Sequence, residues 1–301
     1  MELNTARRPT IFLVGAPKCG TTALYEYLRQ HPSLCLAPKE PHFFGSDLYP
    51  PERPHDEAAY LQSFAAAAAD TRLGEASVWY LYSTKAAQEI KQFSPSAKII
   101  VSLRNPVDMI HSLHSHFTWS SIEDVQPFER AIETEIKTGR ALPVWGRCVT
   151  TPISYLAAGS YYEQVERYLT AFGPDQVKVV IFDDLKRNAR SYYQHVCEFL
   201  GIDKDVVRPV GVVNAHRGLR SVPLQRFAWH PPTALRAILR LVTSRRQRLA
   251  VFEWLVRLNT THDARPAMQP SVRRHLQAHF ARDVERLSAL LDRDLTHWNH
   301  S

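Results

Sequence analysis

Residues 11–24 read Ile-Phe-Leu-Val-Gly-Ala-Pro-Lys-Cys-Gly-Thr-Thr-Ala-Leu. A short apolar run enters a loop bounded by Gly15 and Gly20, and the loop enters an amphipathic run that opens on two threonines. A strand, loop and helix in that order gather backbone N–H groups and the positive end of a helix dipole around one point, which suits a phosphate-like anion. Pro17 and Cys19 shape the bend, and Gly20 lets the backbone come close to a ligand. Thr21 and Thr22 add hydroxyls and N–H groups, and Lys18 adds a mobile point charge for a bridging or leaving oxygen. The common nucleotide-hydrolase loop places its lysine directly before the closing Ser/Thr. Here Lys18 lies inside the loop, which points to an anion handled without Mg²⁺ and a nucleoside triphosphate. Cys19 sits where a helix N-terminus can lower a thiol pKa, although a small loop-filling side chain is the plainer reading.

A second segment, residues 98–112, reads Lys-Ile-Ile-Val-Ser-Leu-Arg-Asn-Pro-Val-Asp-Met-Ile-His-Ser. A β-branched run ends at Arg104, and Pro106 opens a helix at its first turn. Ligands of open parallel sheets sit beyond the carboxyl ends of the strands. Arg104 therefore belongs at the same edge as the first loop, and its guanidinium forks well onto phosphate. Ser112 falls about two turns into the helix, within reach of a second phosphate if the helix leans over the cleft.

These groups need a frame. Strand patterns at 11–15, 98–103 and 177–182 alternate with helical patterns at 21–30, 161–172, 190–200 and 271–291. The alternation predicts an α/β fold: a single P-loop-like domain over residues 1–301, with a central parallel sheet flanked by helices. Two stretches break it. Residues 120–158 are polar, contain Pro127, Pro143 and Pro152, and show little periodicity, as expected of an acceptor-binding lid. Residues 206–252 hold nine arginines and no acid, part of a basic helical insertion over about 206–258 with amphipathic runs at 234–241 and 249–258. A one-signed stretch of that length is a local field, not mixed surface.

The 301 residues are 45% apolar and carry a formal charge of +7, enough for a sizeable core and a bias toward anionic partners. Four scattered cysteines without C-x-x-C spacing argue against a zinc site or a disulfide framework, and no metal is expected. The absence of a long apolar N-terminal run makes a cytoplasmic protein the default expectation. Aromatic residues are not interleaved with the basic run as base stacking would need, so nucleic acid is not an expected partner. Two rival readings remain: a P-loop nucleotide kinase or hydrolase, and a non-catalytic polyanion or membrane-surface binder built on the basic insertion, in peripheral contact with anionic membrane.

Taken together, Pro-Lys-x-Gly-Thr-Thr-x-Leu and the later strand-Arg-x-Pro helix carrying Ser112 resemble the sulfotransferases that use 3′-phosphoadenosine 5′-phosphosulfate (PAPS). The likeness extends to Phe182-Asp-Asp-Leu185, Phe199-Leu-Gly-Ile202 and Asp294-Leu-Thr-His-Trp298, and is nearest to bacterial members of the carbohydrate or heparan-type branch. It implies a 5′-phosphosulfate loop at residues 17–22 and a 3′-phosphate site at Arg104 and Ser112, closed by a basic loop at Arg217 and Gly218. The segment Ala37-Pro-Lys-Glu-Pro-His-Phe-Phe44 resembles that branch's base-bearing segment. It implies Glu40 as the general base, with His42 as orienting group or as the base itself, beside Lys18 as catalytic cation. The branch often has a lysine where this chain has Ala76, which weakens a glycosaminoglycan assignment. The implied reaction is sulfuryl transfer from PAPS to a hydroxyl or amine of a small-molecule, carbohydrate, lipid or natural-product acceptor.

Overall fold

The computed structural model describes residues 7–50, 55–142, 151–206, 218–233, 243–261, 263 and 265–300. Five parallel strands form the central sheet in the order β2-β3-β1-β4-β5: β1 Ile11–Gly15, β2 Leu34–Leu36, β3 Arg72–Ala76, β4 Lys98–Leu103 and β5 Val177–Ile181. Alternate residues of the central strand enter different cores. Phe12 and Val14 face one side with Ile99 and Val101, while Ile11 and Leu13 face the other with Ile100. This burial on both faces is why β1 reads as an unbroken apolar run.

Helices α1 Thr21–Arg29 and α9 Ala189–Leu200 cover the second face through Leu24, Leu28, Tyr193 and Val196. The first face is covered by α4 Pro106–Trp119, α7 Tyr161–Phe172 and α12 Pro270–Leu290, through Ile110, Leu113, Val165, Leu276 and Phe280. The remaining helices are α2 Glu57–Gln62, α3 Ala86–Phe93, α5 Phe128–Thr138, α6 Tyr155–Gly159, α8 Phe182–Arg187, α10 Val222–Trp229 and α11 Arg245–Asn259. A two-stranded antiparallel ladder, β6 Gly218–Leu219 with β7 Thr260–Thr261, lies against α4.

The expected α/β architecture, a central parallel sheet flanked by helices, is present, and its strands at 11–15 and 98–103 have the expected bounds. Three details differ. Phe182 opens α8 instead of closing β5. Strand β3 reads Arg-Leu-Gly-Glu-Ala, poor strand chemistry; tertiary packing imposes it, since a Cβ at Gly74 would come within 2.8 Å of Leu36 Cδ2. Within the stretch expected to be a lid, residues 128–138 form the packed helix α5, which buries Phe128, Ala131, Ile132 and Glu135. That inward face is helical in spacing but half disguised, because Glu135 serves as a cap: it accepts from Ser154 Oγ at 2.5 Å and from the N–H groups of Tyr155 and Leu156 at 3.0 Å. The amphipathic run expected at 234–241 lies outside the described residues. The run at 249–258 falls within α11.

Candidate active site

The loop between β1 and α1 is fixed from below. Ala16 N–H donates to the Ser102 carbonyl at 2.7 Å, and Ser102 Oγ donates to the Cys19 carbonyl at 2.6 Å, tying the loop to the end of β4. Gly20 has φ +82, and a Cβ there would lie 2.7 Å from Phe182 Cδ2. Glycine is therefore required by conformation and by space. Cys19 is fully buried with its thiol 3.8 Å from Tyr161 Oη, and burial pushes the thiol up to about 12. The helix N-terminus does not activate it; Cys19 fills the loop. Thr21 is buried, and Thr22 and Lys18 are partly exposed at the helix start.

Glu40 and His42 lie at the carboxyl end of the neighbouring β3. Glu40 N–H donates to the Ala76 carbonyl at 2.8 Å, and His42 N–H donates to Ser77 Oγ at 3.1 Å. Glu40 Oε2 stands 3.5 Å from His42 Nε2 and Glu40 Oε1 stands 3.7 Å from Lys39 Nζ, while Lys39 Nζ also donates to Thr22 Oγ1. Lys39 thus bridges the loop and the carboxylate, a link that its plain place in the sequence did not reveal. Burial works to raise the Glu40 carboxyl, but His42, Lys39 and His116 outweigh it and hold the group below the ordinary carboxylate range. Burial pushes the Lys39 ammonium down. Behind them, the buried Glu75 carboxyl, close to Tyr80, His42 and Tyr60, is pushed up to about 8 by burial.

Among the described residues, five non-glycine residues have positive φ, and three of them are Lys18 at 62°, Glu40 at 64° and His42 at 51°. Each such conformation costs on the order of 1–3 kcal/mol and persists only where the surroundings over-determine it. Strain therefore gathers at the residues singled out for chemistry.

At the end of β4, Arg104 lies 5.3 Å over the Phe182 ring and pairs with Asp108 at 3.4 Å. Asn105 caps α4 by accepting from Val107 N–H at 3.0 Å, and Pro106 takes the first turn as expected. Ser112 is buried, and its Oγ accepts from Arg265 Nη2 at 3.0 Å. Arg273 from α12 also reaches Asp108, at 2.9 Å. Two guanidinium groups thus share one carboxylate, with a third on the neighbouring Ser112. The Nε atoms of Arg104 and Arg265 are buried without a hydrogen-bond partner among the described residues. Burial and the charge of Arg104 lower the Arg265 pKa, and burial together with Arg265 pushes His111 down to about 4. A surplus of buried positive charge with unmet donors fits a multiply charged anion.

Arg265 was not foreseen. The basic loop was expected at Arg217 and Gly218; Arg217 lies outside the described residues, and Gly218 pairs with Thr261 in the ladder that leads to Arg265. An Arg-Pro pair four residues after β7 was the only available signal. The acidic pair Asp183-Asp184 is held from the C-terminus. Trp298 Nε1 donates to Asp183 at 3.0 Å, and Arg293 binds Asp184 at 2.7 and 2.9 Å. Two segments quoted separately in the sequence are thus one clamp.

The sulfotransferase domain family matches residues 8–288, and the chain belongs to that family. It is 30% identical over 210 residues to human bifunctional heparan sulfate N-deacetylase/N-sulfotransferase 3, covering 67% of this chain and 23% of that protein. It is 28% identical over 214 residues to human heparan sulfate glucosamine 3-O-sulfotransferase 6, covering 70% and 58%. The crystal structure of a sulfotransferase from Alicyclobacillus acidocaldarius superposes with a TM-score of 0.69 at 30% identity, over 97% of this chain and 99% of that one. The chain spans about a quarter of the length of the first of these relatives. Membership of this family displaces the kinase or hydrolase reading. Among the described residues, no helix is long and apolar enough to cross a membrane.

Proposed function

We propose that the chain transfers a sulfuryl group from PAPS to a hydroxyl or amine of a carbohydrate, lipid or natural-product acceptor by in-line displacement. The observation that carries this reading is the pairing, on one sheet edge, of an amide-lined loop bearing Lys18 with the Arg104–Ser112–Arg265 cluster. One suits the phosphosulfate and the other the 3′-phosphate of a single nucleotide. Pro17, Cys19, Gly20, Thr21 and Thr22 contribute the loop's shape, amides and hydroxyls. Gly218, with Arg217 before it, contributes through the ladder that carries the chain to Arg265.

Glu40 takes the acceptor proton as the acceptor oxygen or nitrogen forms its bond to sulfur. The bond from sulfur to the bridging oxygen breaks, and its electron pair leaves on adenosine 3′,5′-bisphosphate. Lys18 and the loop amides meet the charge that develops on that oxygen, where fixed donors matter most. Glu40 is preferred to His42 as base because its side chain is 34% exposed, whereas that of His42 is 1% exposed and stands behind it. His42 and Lys39 orient the carboxylate and keep it ionised. The 3′ cluster contributes positioning rather than bond chemistry.

Calorimetry tests the donor reading. Adenosine 3′,5′-bisphosphate should bind without Mg²⁺, and ATP with Mg²⁺ should bind far more weakly. Absence of heat with the bisphosphate overturns the reading. The acceptor is then sought with labelled donor across the acceptor classes named, read by the mass of the product.

A further inference from the structure

Among the described residues, nine large hydrophobic side chains remain exposed, and seven of them lie on α10 and α11. On α11 they form a face. Val251, Trp254 and Leu258 follow i, i+3, i+7 spacing and are 55%, 59% and 47% exposed, so they share one stripe of the helix. The opposite side faces the protein: the Phe252 ring meets the Trp229 ring at 5.3 Å, and Asn259 Nδ2 donates to the Ser221 carbonyl at 2.8 Å and to Gln225 Oε1 at 3.0 Å. The helix is thus packed along one seam and bare along the other. A bare aliphatic and tryptophan stripe of this kind costs free energy in water and marks a contact surface.

The charge around the stripe names the partner. Helix α11 carries Arg245, Arg246, Arg248 and Arg257 against one acid, Glu253, within a region whose residues 206–252 have nine arginines and no acid. A second copy of the chain would bring like charges together, which disfavours association through this face. A soluble polyanion would answer the arginines but leave Trp254, Val251 and Leu258 in water. An anionic lipid surface answers both, with headgroups for the guanidinium groups and the headgroup–acyl boundary for the apolar stripe.

The surface is also placed with respect to the site. Gln225 Nε2 donates to the Trp119 carbonyl at 2.5 Å, and Trp119 Nε1 donates to Thr260 Oγ1 at 3.1 Å. The His116 ring lies 6.4 Å from Trp119, and His116 is one of the side chains that lower the Glu40 pKa. The α10–α11 pair is therefore mounted on the end of α4 that faces the proposed base. We infer that the outer face of α10 and α11 docks the protein peripherally on an anionic lipid bilayer, with the acceptor side of the site beside the surface.

Vesicle sedimentation of the full chain tests this inference. The protein should pellet with phosphatidylcholine vesicles that contain phosphatidylglycerol, should stay in solution with phosphatidylcholine alone, and should be released by salt. The double variant Val251→Ser/Trp254→Ser and the charge variant Arg246→Glu/Arg257→Glu should each weaken vesicle binding by about tenfold or more. All four positions are exposed, and calorimetric binding of adenosine 3′,5′-bisphosphate reports separately that each variant is folded. Failure of the wild type to pellet with anionic vesicles overturns the inference, as does equal pelleting with neutral ones. Folded variants that pellet like the wild type also overturn it. So does light scattering that finds a dimer dispersed by Val251→Ser/Trp254→Ser, which would give the face to a second copy. None of these outcomes bears on the donor reading, which the calorimetry measures alone.

Discussion

The two regions at the sheet edge proposed to hold the donor's anionic groups are built from different material. The loop at residues 16–22 is local: one strand end, one bend and one helix start, with backbone groups as the main proposed donors. The cluster beside it is assembled from a distance, by Arg104 and Ser112 on the β4–α4 segment, Arg265 after β7 and Arg273 on α12. A backbone cradle holds its donors in place whatever the side chains do, which suits charge that appears only in the transition state. A cluster of guanidinium groups binds an anion strongly but is costly to bury without one: burial first, and then the charge of Arg104, lowers the Arg265 pKa. The first region is suited to chemistry and the second to grip.

That division can be broken by experiment. The largest effect is expected at the cradle: Lys18→Ala should lower kcat by about 10²–10³-fold while the affinity for adenosine 3′,5′-bisphosphate changes little. Equal losses in turnover and affinity would make Lys18 a ground-state ligand and erase the contrast. Next comes the cluster. Arg265→Ala should weaken bisphosphate binding by roughly 10–100-fold, the cost of one charge-assisted bond, with kcat at saturating donor nearly unchanged. Normal binding by that variant would remove Arg265 from the donor site. A fall in kcat at saturation would give the cluster a chemical role.

The same contrast explains how much could be read before the structure. The cradle was legible because its residues are consecutive: Gly15, Lys18, Gly20 and the Thr21-Thr22 pair already specify strand, bend and helix start. Arg104 and Ser112 were legible because the strand end and Pro106 fix their helix. Arg265 was not, since its partner Ser112 is 153 positions away and no periodicity marks a lone arginine in a loop. Lys39 was passed over for a related reason. Family likeness marks its neighbour Glu40, but the bond from Lys39 to Thr22 joins the loop after β2 to the first turn of α1, segments that only the fold brings together. Helix α5 was hidden by chemistry instead, because a buried Glu135 reads as surface until the helix end it caps is seen.

Lys39 gives the smallest and sharpest test of the link between the two loops. Glu40 accepts a proton only when ionised, so activity should fall as pH falls through its pKa. Burial raises that pKa, while His42, Lys39 and His116 together bring it below the ordinary range. The acid limb of the wild-type kcat profile should therefore lie below that of an ordinary glutamate. Lys39 carries its charge throughout that limb, although burial lowers its own pKa. Lys39→Met removes one constant cation, so the Glu40 pKa should rise and the acid limb should move to higher pH. Near neutral pH, where the carboxylate stays ionised in both proteins, the rate should change much less than it does in Lys18→Ala. A purely structural lysine would lower the rate at every pH without moving the limb. A limb that stays put, or moves to lower pH, would therefore separate Lys39 from the base and leave Thr22 as its only partner of consequence.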